Sequence, residues 1–180
     1  MKWILFSLLL FCFISSASGA ELTVSIDDMQ AASGSSIELP IVLRDAEDVG
    51  SMDLVLKYDA EVLQATSVKT SDIGKNAFIE SNTANEGEVI IALADASGIS
   101  GDGPVVKISF MVVGDAGSSC AVTLEEAKIH NTELVELVTG TEDGTVTVTE
   151  ASGKNAGYAS VALYVVAIFG LCAMIINRNE

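Results

Sequence analysis

Ser51-Met52-Asp53-Leu54-Val55-Leu56-Lys57-Tyr58 places Met52, Leu54, Leu56 and Tyr58 at every second position, with Ser51, Asp53, Val55 and Lys57 between them. Strict alternation is the signature of a strand buried on one face, because successive strand side chains point to opposite sides. The first set therefore forms the core face and the second set faces out. The stretch Glu88 to Ala94 has the same period, with Val89, Ile91 and Leu93 inward and Ile90, Ala92 and Ala94 outward. An outward face that is itself apolar, next to Asp53 and Asp95, is either a docking surface or a surface covered by another strand or loop.

Outward from these two stretches, short runs rich in Val, Ile, Leu and Thr alternate with clusters of Gly, Asp, Asn and Ser. That rhythm predicts an all-β sandwich or barrel. The expected strands are Leu22 to Ile26, Ser36 to Leu43, Ser51 to Tyr58, Gln64 to Lys69, Asn76 to Glu80, Glu88 to Ala94, Val105 to Val113, Ala121 to Leu124, Glu133 to Val138 and Thr145 to Thr149. Asn85-Glu86-Gly87 predicts a hairpin turn with Gly87 at positive φ. Gly98 to Gly103 and Gly114 to Ser119 read as loops. Asp59 to Leu63 reads as one helical turn capped by Asp59.

The ends of the chain differ from this middle. Met1-Lys2, the apolar run Trp3 to Ile14 and the small residues Ser15 to Ala20 have the pattern of a secretory signal peptide, residues 1–20, with cleavage after Ala20. Ala156 to Ile176 is a run of 21 residues without a charge, enough for one C-terminal transmembrane helix. Residues 151–155 are then a short linker and 177–180 a cytoplasmic tail, which makes the expected location a single-pass cell membrane protein with its domain outside. A removable lipid-anchor signal is the alternative for the C-terminal run.

The chain has 25 acidic against 9 basic residues, a formal charge of −16. Between Glu21 and Glu150 there are 24 acidic residues and only Arg44, Lys57, Lys69, Lys75, Lys107 and Lys128 to balance them. Such a surface repels nucleic acid and anionic headgroups and suits solubility or a basic or calcium-loaded partner. Of Cys12, Cys120 and Cys172, only Cys120 lies in the middle domain, so no internal disulfide is available there. In its strand-like setting Cys120 reads as a small buried residue.

Catalytic constellations are scarce. His130 is the sole histidine, has no nucleophile signature beside it and reads as a surface residue. One Cys and one His do not make a zinc site, and the loop Asp95 to Gly103 departs from EF-hand spacing. Carboxylates are plentiful enough for a glycosidase pair. However, the middle holds only three aromatic residues, Tyr58, Phe78 and Phe110, and two of these read as core. Enzymatic activity is not expected.

Several stretches together resemble the cohesin family. They are Val24-Ser25-Ile26-Asp27-Asp28 with Ala32-Ser33-Gly34, Leu39-Pro40-Ile41-Val42-Leu43, Val49 through Asp59 with Val62-Leu63, Ile91-Ala92-Leu93-Ala94-Asp95 with Gly98, Gly103 through Phe110, and Asp143-Gly144-Thr145-Val146-Thr147-Val148. The resemblance implies a nine-stranded jelly-roll β-sandwich that binds a dockerin, with calcium carried by the dockerin and no cofactor of its own. It further implies contact through Ser51, Asp53 and Val55 on one strand and Ile90, Ala92 and Asp95 on or just after another. A single domain with its own anchor suggests one surface receptor rather than a multi-cohesin scaffold, and display of polysaccharide-degrading enzymes is the role the resemblance implies for it. The other two readings are a surface carbohydrate-binding module and a structural envelope or adhesion domain without a dockerin partner.

Overall fold

The computed structural model describes residues 21–151. The segments read as signal peptide, membrane span and cytoplasmic tail lie outside the described residues, as does nearly all of the linker. Among the described residues no helix is long and apolar enough to cross a membrane.

Nine strands follow one another: β1 (Leu22–Ile26), β2 (Met29–Ala32), β3 (Ser36–Lys57), β4 (Leu63–Thr70), β5 (Phe78–Asn82), β6 (Glu88–Val112), β7 (Ser119–Asn131), β8 (Thr139–Glu142) and β9 (Gly144–Thr149). The only helical element among the described residues is a 3-10 turn at Asp72–Gly74. The all-β, nine-stranded expectation is met, with different strands making up the nine.

The architecture depends on β3 and β6. They run for 22 and 25 residues, against ~5–6 for an ordinary strand, and lie antiparallel to each other along both halves. The first half of β3 pairs with β1 (Ile41↔Ile26 to Arg44↔Thr23) and its second half with β7 (Val49↔Asn131 to Lys57↔Thr123). β6 pairs with β5 in its first half and with β4 in its second. Each long strand therefore serves two sheets. One sheet runs β2-β9-β7-β3-β6-β5 and the other β8-β1-β3-β6-β4.

The buried side chains record where the strands change sheet. In β3 the core positions are Leu39, Ile41 and Leu43 before the bend, then Met52, Leu54 and Leu56 after it. In β6 they are Val89, Ile91 and Leu93, then Val106, Ile108 and Phe110. The parity reverses in both strands, which a period of two permits only through inserted residues. The β3–β6 register accordingly shifts between Leu43 and Ala46, Ala46 and Val49, and Val49 and Ser51.

At this corner Asp45 and Asp48 adopt φ of 54° and 53°, a left-handed conformation that short polar side chains tolerate best after glycine. Side chains hold both residues. The Asp45 N–H donates to Asp102 Oδ1 (2.7 Å) and the Asp48 N–H to Ser100 Oγ (2.9 Å). Thr132 Oγ1 donates to the Asp48 carboxylate (3.0 and 2.8 Å). Gly98, at φ 75°, lies so close that a Cβ there would collide with Asp48 Oδ1.

Several readings change; Ala121–Leu124 belongs to a longer strand, Ser119–Asn131, and Thr139–Glu142 is an unexpected one. The stretch Gly98 to Gly103 is not a loop but the kinked middle of β6. Ser36–Leu43 and Ser51–Tyr58 are halves of one strand, as are Glu88–Ala94 and Val105–Val113. Met29–Ala32, without apolar alternation, is a strand through parallel pairing with β9. Glu133 to Val138 does not form a strand and pairs with β7 only through one isolated antiparallel bridge, Glu136 with His130. Asn131 Oδ1 accepts the N–H groups of Glu133 (3.0 Å) and Val135 (2.8 Å), and the Asn131 carbonyl accepts that of Leu134 (3.0 Å), closing a tight turn instead.

Other expectations hold. Gly87 sits at φ 77° in the β5–β6 hairpin. Asp59 closes a single turn, accepting from Glu61 N–H at 2.9 Å and, through its carbonyl, from Leu63 N–H at 2.9 Å. Cys120 is a buried core residue whose Sγ accepts the Asp59 N–H at 3.2 Å, and burial pushes its thiol pKa up. Tyr58 packs edge-on against Phe110, with ring centres 5.1 Å apart.

Gly98→Ala is expected to destabilise the domain by more than the ~1–2 kcal/mol of forcing a Cβ into the left-handed region, because it also displaces Asp48. Gly101→Ala, where a Cβ meets nothing within 4 Å, should carry the conformational part alone. Urea denaturation of the two variants tests this, and equal losses would contradict the role given to Asp48.

Candidate docking face

In an antiparallel ladder, paired residues project to the same side. The registers of β5, β6, β3 and β7 therefore define three outward rows across the first sheet. They are Phe78–Ala94–Ser51–His130, Glu80–Ala92–Asp53–Lys128 and Asn82–Ile90–Val55–Glu126. Among the described residues no strand or loop covers this face. Phe78 is 68% exposed and Ile90 39%. Ala92 and Ala94 are exposed and Val55 is partly so. A shallow depression of about 200 Å³ lies between Phe78, Glu80, Ala92, Ala94, Ser51 and Asp53.

The charges on the face divide into paired and unpaired groups. Lys57 binds Glu88 (Nζ–Oε2, 2.6 Å) and Lys128 binds Glu126 (Nζ–Oε1, 2.5 Å). The hydrogen bond to Glu88 holds Lys57 above the usual lysine value. The same bond, followed by one from Asn85, holds Glu88 below the usual carboxylate range. Glu126 raises Lys128 in the same manner. Lys128–Glu126 is open to water and Lys57–Glu88 partly so, and such surface pairs add little stability. Their effect is to occupy the two lysines, so that Asp53 and Glu80 form no ion pair among the described residues.

The structure brings Ser51, Asp53, Val55, Ile90 and Ala92 onto this one face. Asp95 is set apart from them, where β6 leaves its register with β3. Its Oδ1 accepts the Ser97 N–H at 2.8 Å, so the carboxylate closes a turn. Sequence reasoning missed Phe78, Glu80 and Lys128. Phe78 and Glu80 share a parity in the strand expected at Asn76 to Glu80, and only the pairing of β5 with β6 reveals which side that parity occupies. His130, read as a surface residue, is half-buried and in register with Ser51. Among the described residues no three His, Cys, Asp or Glu side chains converge where they could hold a metal.

These features define an all-β sandwich domain whose strand face, uncovered among the described residues, combines apolar side chains with carboxylates that make no ion pair among them. The family model for the cohesin domain matches residues 22–148, and the chain belongs to that family. It is 31% identical over 134 residues to cellulosomal-scaffolding protein A of Acetivibrio thermocellus, a match covering 68% of this chain and 7% of that protein. Among solved structures it is similar to a non-cellulosomal cohesin from the hyperthermophilic archaeon Archaeoglobus fulgidus. The TM-score is 0.67 and the identity 27%, with 78% of this chain and 98% of that chain covered. It also shares its fold with the sixth cohesin of scaffoldin B from Acetivibrio cellulolyticus, solved in complex with the Cel5 dockerin. There the TM-score is 0.66 and the identity 21%, covering 72% and 99% of the two chains.

Truncating a core phenylalanine costs about 3–5 kcal/mol. Phe78→Ala is expected to change stability by no more than ~0.5 kcal/mol, the range of ordinary surface substitutions. Asp95→Ala should lose about 0.5–1.5 kcal/mol with its turn hydrogen bond. Thermal or urea unfolding distinguishes the two, and a large loss for Phe78→Ala would mean that the face is covered after all.

Proposed function

We propose that this domain is a non-catalytic receptor that binds a calcium-loaded dockerin through the outward face of β5, β6, β3 and β7. The observation that carries the reading is the uncovered apolar strip of Phe78, Ile90, Ala92, Ala94 and Val55, bordered by the unpaired carboxylates of Asp53 and Glu80. Apolar centres with polar rims are the anatomy of protein interfaces. Membership of the cohesin family supports the choice of partner, as do related folds solved with dockerins bound. In this reading the strip excludes water, and Asp53 and Glu80 accept hydrogen bonds from hydroxyl or basic groups of the dockerin. Calcium belongs to the partner. Asp95 acts on the site by holding the turn beyond Ala94.

The receptor reading includes a location. Residues 1–20 direct export, and the apolar run 156–176 holds the domain at the cell surface, a proposal that rests on sequence alone. Display of polysaccharide-degrading enzymes is a further proposal, supported by the likeness to a scaffolding protein. A sugar-binding reading draws its support from Phe78, the one strongly exposed aromatic among the described residues.

Titration calorimetry against dockerins encoded by the same genome, first with calcium and then with chelator, tests the receptor reading. Tight binding abolished by chelator is expected. Asp53→Ala and Phe78→Ala should each weaken it by about 1–2 kcal/mol, roughly 5–30-fold, without unfolding the domain. Unchanged affinity in both variants would move the site elsewhere. Absence of binding to every dockerin would favour the envelope or adhesion role, with glycan screening against wild type and Phe78→Ala as the check on sugar binding.

A further inference from the structure

The receptor face leaves unexplained the segment Glu133-Leu134-Val135-Glu136-Leu137-Val138, whose sequence reads as a strand and whose structure is a turn. Leu134 and Val138 are each 79% exposed and Val135 is 55% exposed, so three of the large exposed apolar side chains fall within five residues. Leu134 also sits at φ 64°, a left-handed conformation that is an outlier for a bulky side chain. The Asn131 side chain imposes it by accepting from both Glu133 and Val135. The tip is anchored below by Leu137 N–H donating to the Ile129 carbonyl at 2.8 Å. Backbone strain held in place by side-chain hydrogen bonds is a feature of functional sites.

Beside this tip lies an open groove of about 530 Å³, lined by Leu22, Leu137 and Val138 together with Glu21, Asp45 and Glu47. Its volume is in the range of ligand clefts. The three carboxylates make no ion pair or side-chain hydrogen bond among the described residues. Arg44, next to Asp45 in sequence, is engaged with Asp27 at 3.4 Å. Were the chain cut after Ala20, the new α-amino group at Glu21 would leave three carboxylates against one cation. Leu22 pairs with Thr139, which joins the floor of the groove to the apolar tip. The groove opens among the Asp45–Asp48 corner and the 132–138 turn. The chain leaves β9 at the other end of the sandwich, where Thr149 accepts from Ser33 N–H and Gly34 N–H donates to Val112.

The geometry points to a second docking site at this end, one that takes a cationic segment of a partner protein bearing apolar side chains. Leu134, Val135 and Val138 supply the dry contact, and Glu21, Asp45 and Glu47 receive lysine or arginine. Charge decides against a second copy of this chain, because each domain carries a large negative excess and would present acid to acid. The site adjoins the β7 edge of the β5–β6–β3–β7 face, where Glu136 bridges to His130, but it uses other side chains and does not depend on dockerin binding.

The probe is a ten-residue peptide of alternating lysine and leucine, titrated into the isotopically labelled full chain in detergent and read by amide NMR shifts. Alternating glutamate–leucine and lysine–serine peptides serve as controls. The lysine–leucine peptide should shift Leu22, Asn131 and Val138 and bind about tenfold or more tighter than either control. Asp45→Asn combined with Glu47→Gln, and separately Leu134→Ser combined with Val138→Ser, should each weaken it about fivefold or more. Asp53→Asn combined with Glu80→Gln, on the receptor face, should not. Equal binding of the glutamate–leucine peptide, equal loss from the receptor-face variant, or no shift at the groove would overturn the proposal. So would concentration-dependent self-association that Leu134→Ser with Val138→Ser abolishes. Dockerin titration of the Leu134→Ser, Val138→Ser variant separates this result from the receptor reading, since that affinity is expected to stay unchanged.

Discussion

The fold depends on the corner where β3 and β6 pass together from one sheet to the other. A strand cannot change sheet and keep its apolar side chains in the core unless its alternation slips, and a slip requires residues that leave the ladder. Asp45, Asp48 and the glycines of the 98–103 stretch fill that role. Because the two strands stay paired through the bend, an insertion in one must match the other. The hydrogen bonds from Asp45 to Asp102 and from Asp48 to Ser100 fasten one bend to the other. Both sheets and every other strand are positioned from this pair. With no disulfide available to Cys120 among the described residues, the shared core of the two sheets carries the stability.

The outward face of β5, β6, β3 and β7 is a direct consequence of that corner. Past the bend, β3 places Met52, Leu54 and Leu56 in the core, so Ser51, Asp53 and Val55 must point away. β6 does the same with Ile90, Ala92 and Ala94, and cross-strand register brings the two sets side by side. The face owes its apolar character to β6 and β5 and its free acid to Asp53 and Glu80. Surface ion pairs such as Lys57–Glu88 and Lys128–Glu126 contribute little to folding, yet they determine which carboxylates remain available.

Much of this was legible in sequence because a buried strand advertises itself by period two. The inward and outward sets of 51–58 and 88–94 needed nothing beyond parity, and five of the six anticipated face residues follow from it. Asp95, read as lying beside the face and given like the other five as a contact by family resemblance, stands where parity has already failed, and its carboxylate serves a turn. The long strands were hidden because their bends use Asp and Gly, residues that read as loop when their partners are unknown. Met29–Ala32 was hidden because its strand character resides in β9 and not in its own side chains. Glu133 to Val138 misled in the opposite direction. Its apolar pattern suits a strand, but Asn131 offers the backbone a local hydrogen-bond acceptor that competes with a ladder.

That last competition links fold and surface chemistry. A strand-like segment captured by a turn retains its apolar side chains but keeps only a single bridge to the sheet, Glu136 with His130. Glycine or polar residues at 134, 135 and 138 would close the same Asn131 turn with less strain and without exposed apolar surface. Folding therefore gives no reason for Leu134, Val135 and Val138, and the corner adds Asp45 to the adjoining groove. The two ends of one structural device, a pair of bent strands and the turn that Thr132 ties to Asp48, thus bear surfaces of the same composition, apolar with unpaired acid. On a domain this negative, long-range attraction is common to every basic partner and selects none of them. If both proposed docking roles hold, discrimination between partners has to come from the shape and spacing of the apolar groups, which differ between a flat strip across three rows of strands and a protruding tip beside a groove.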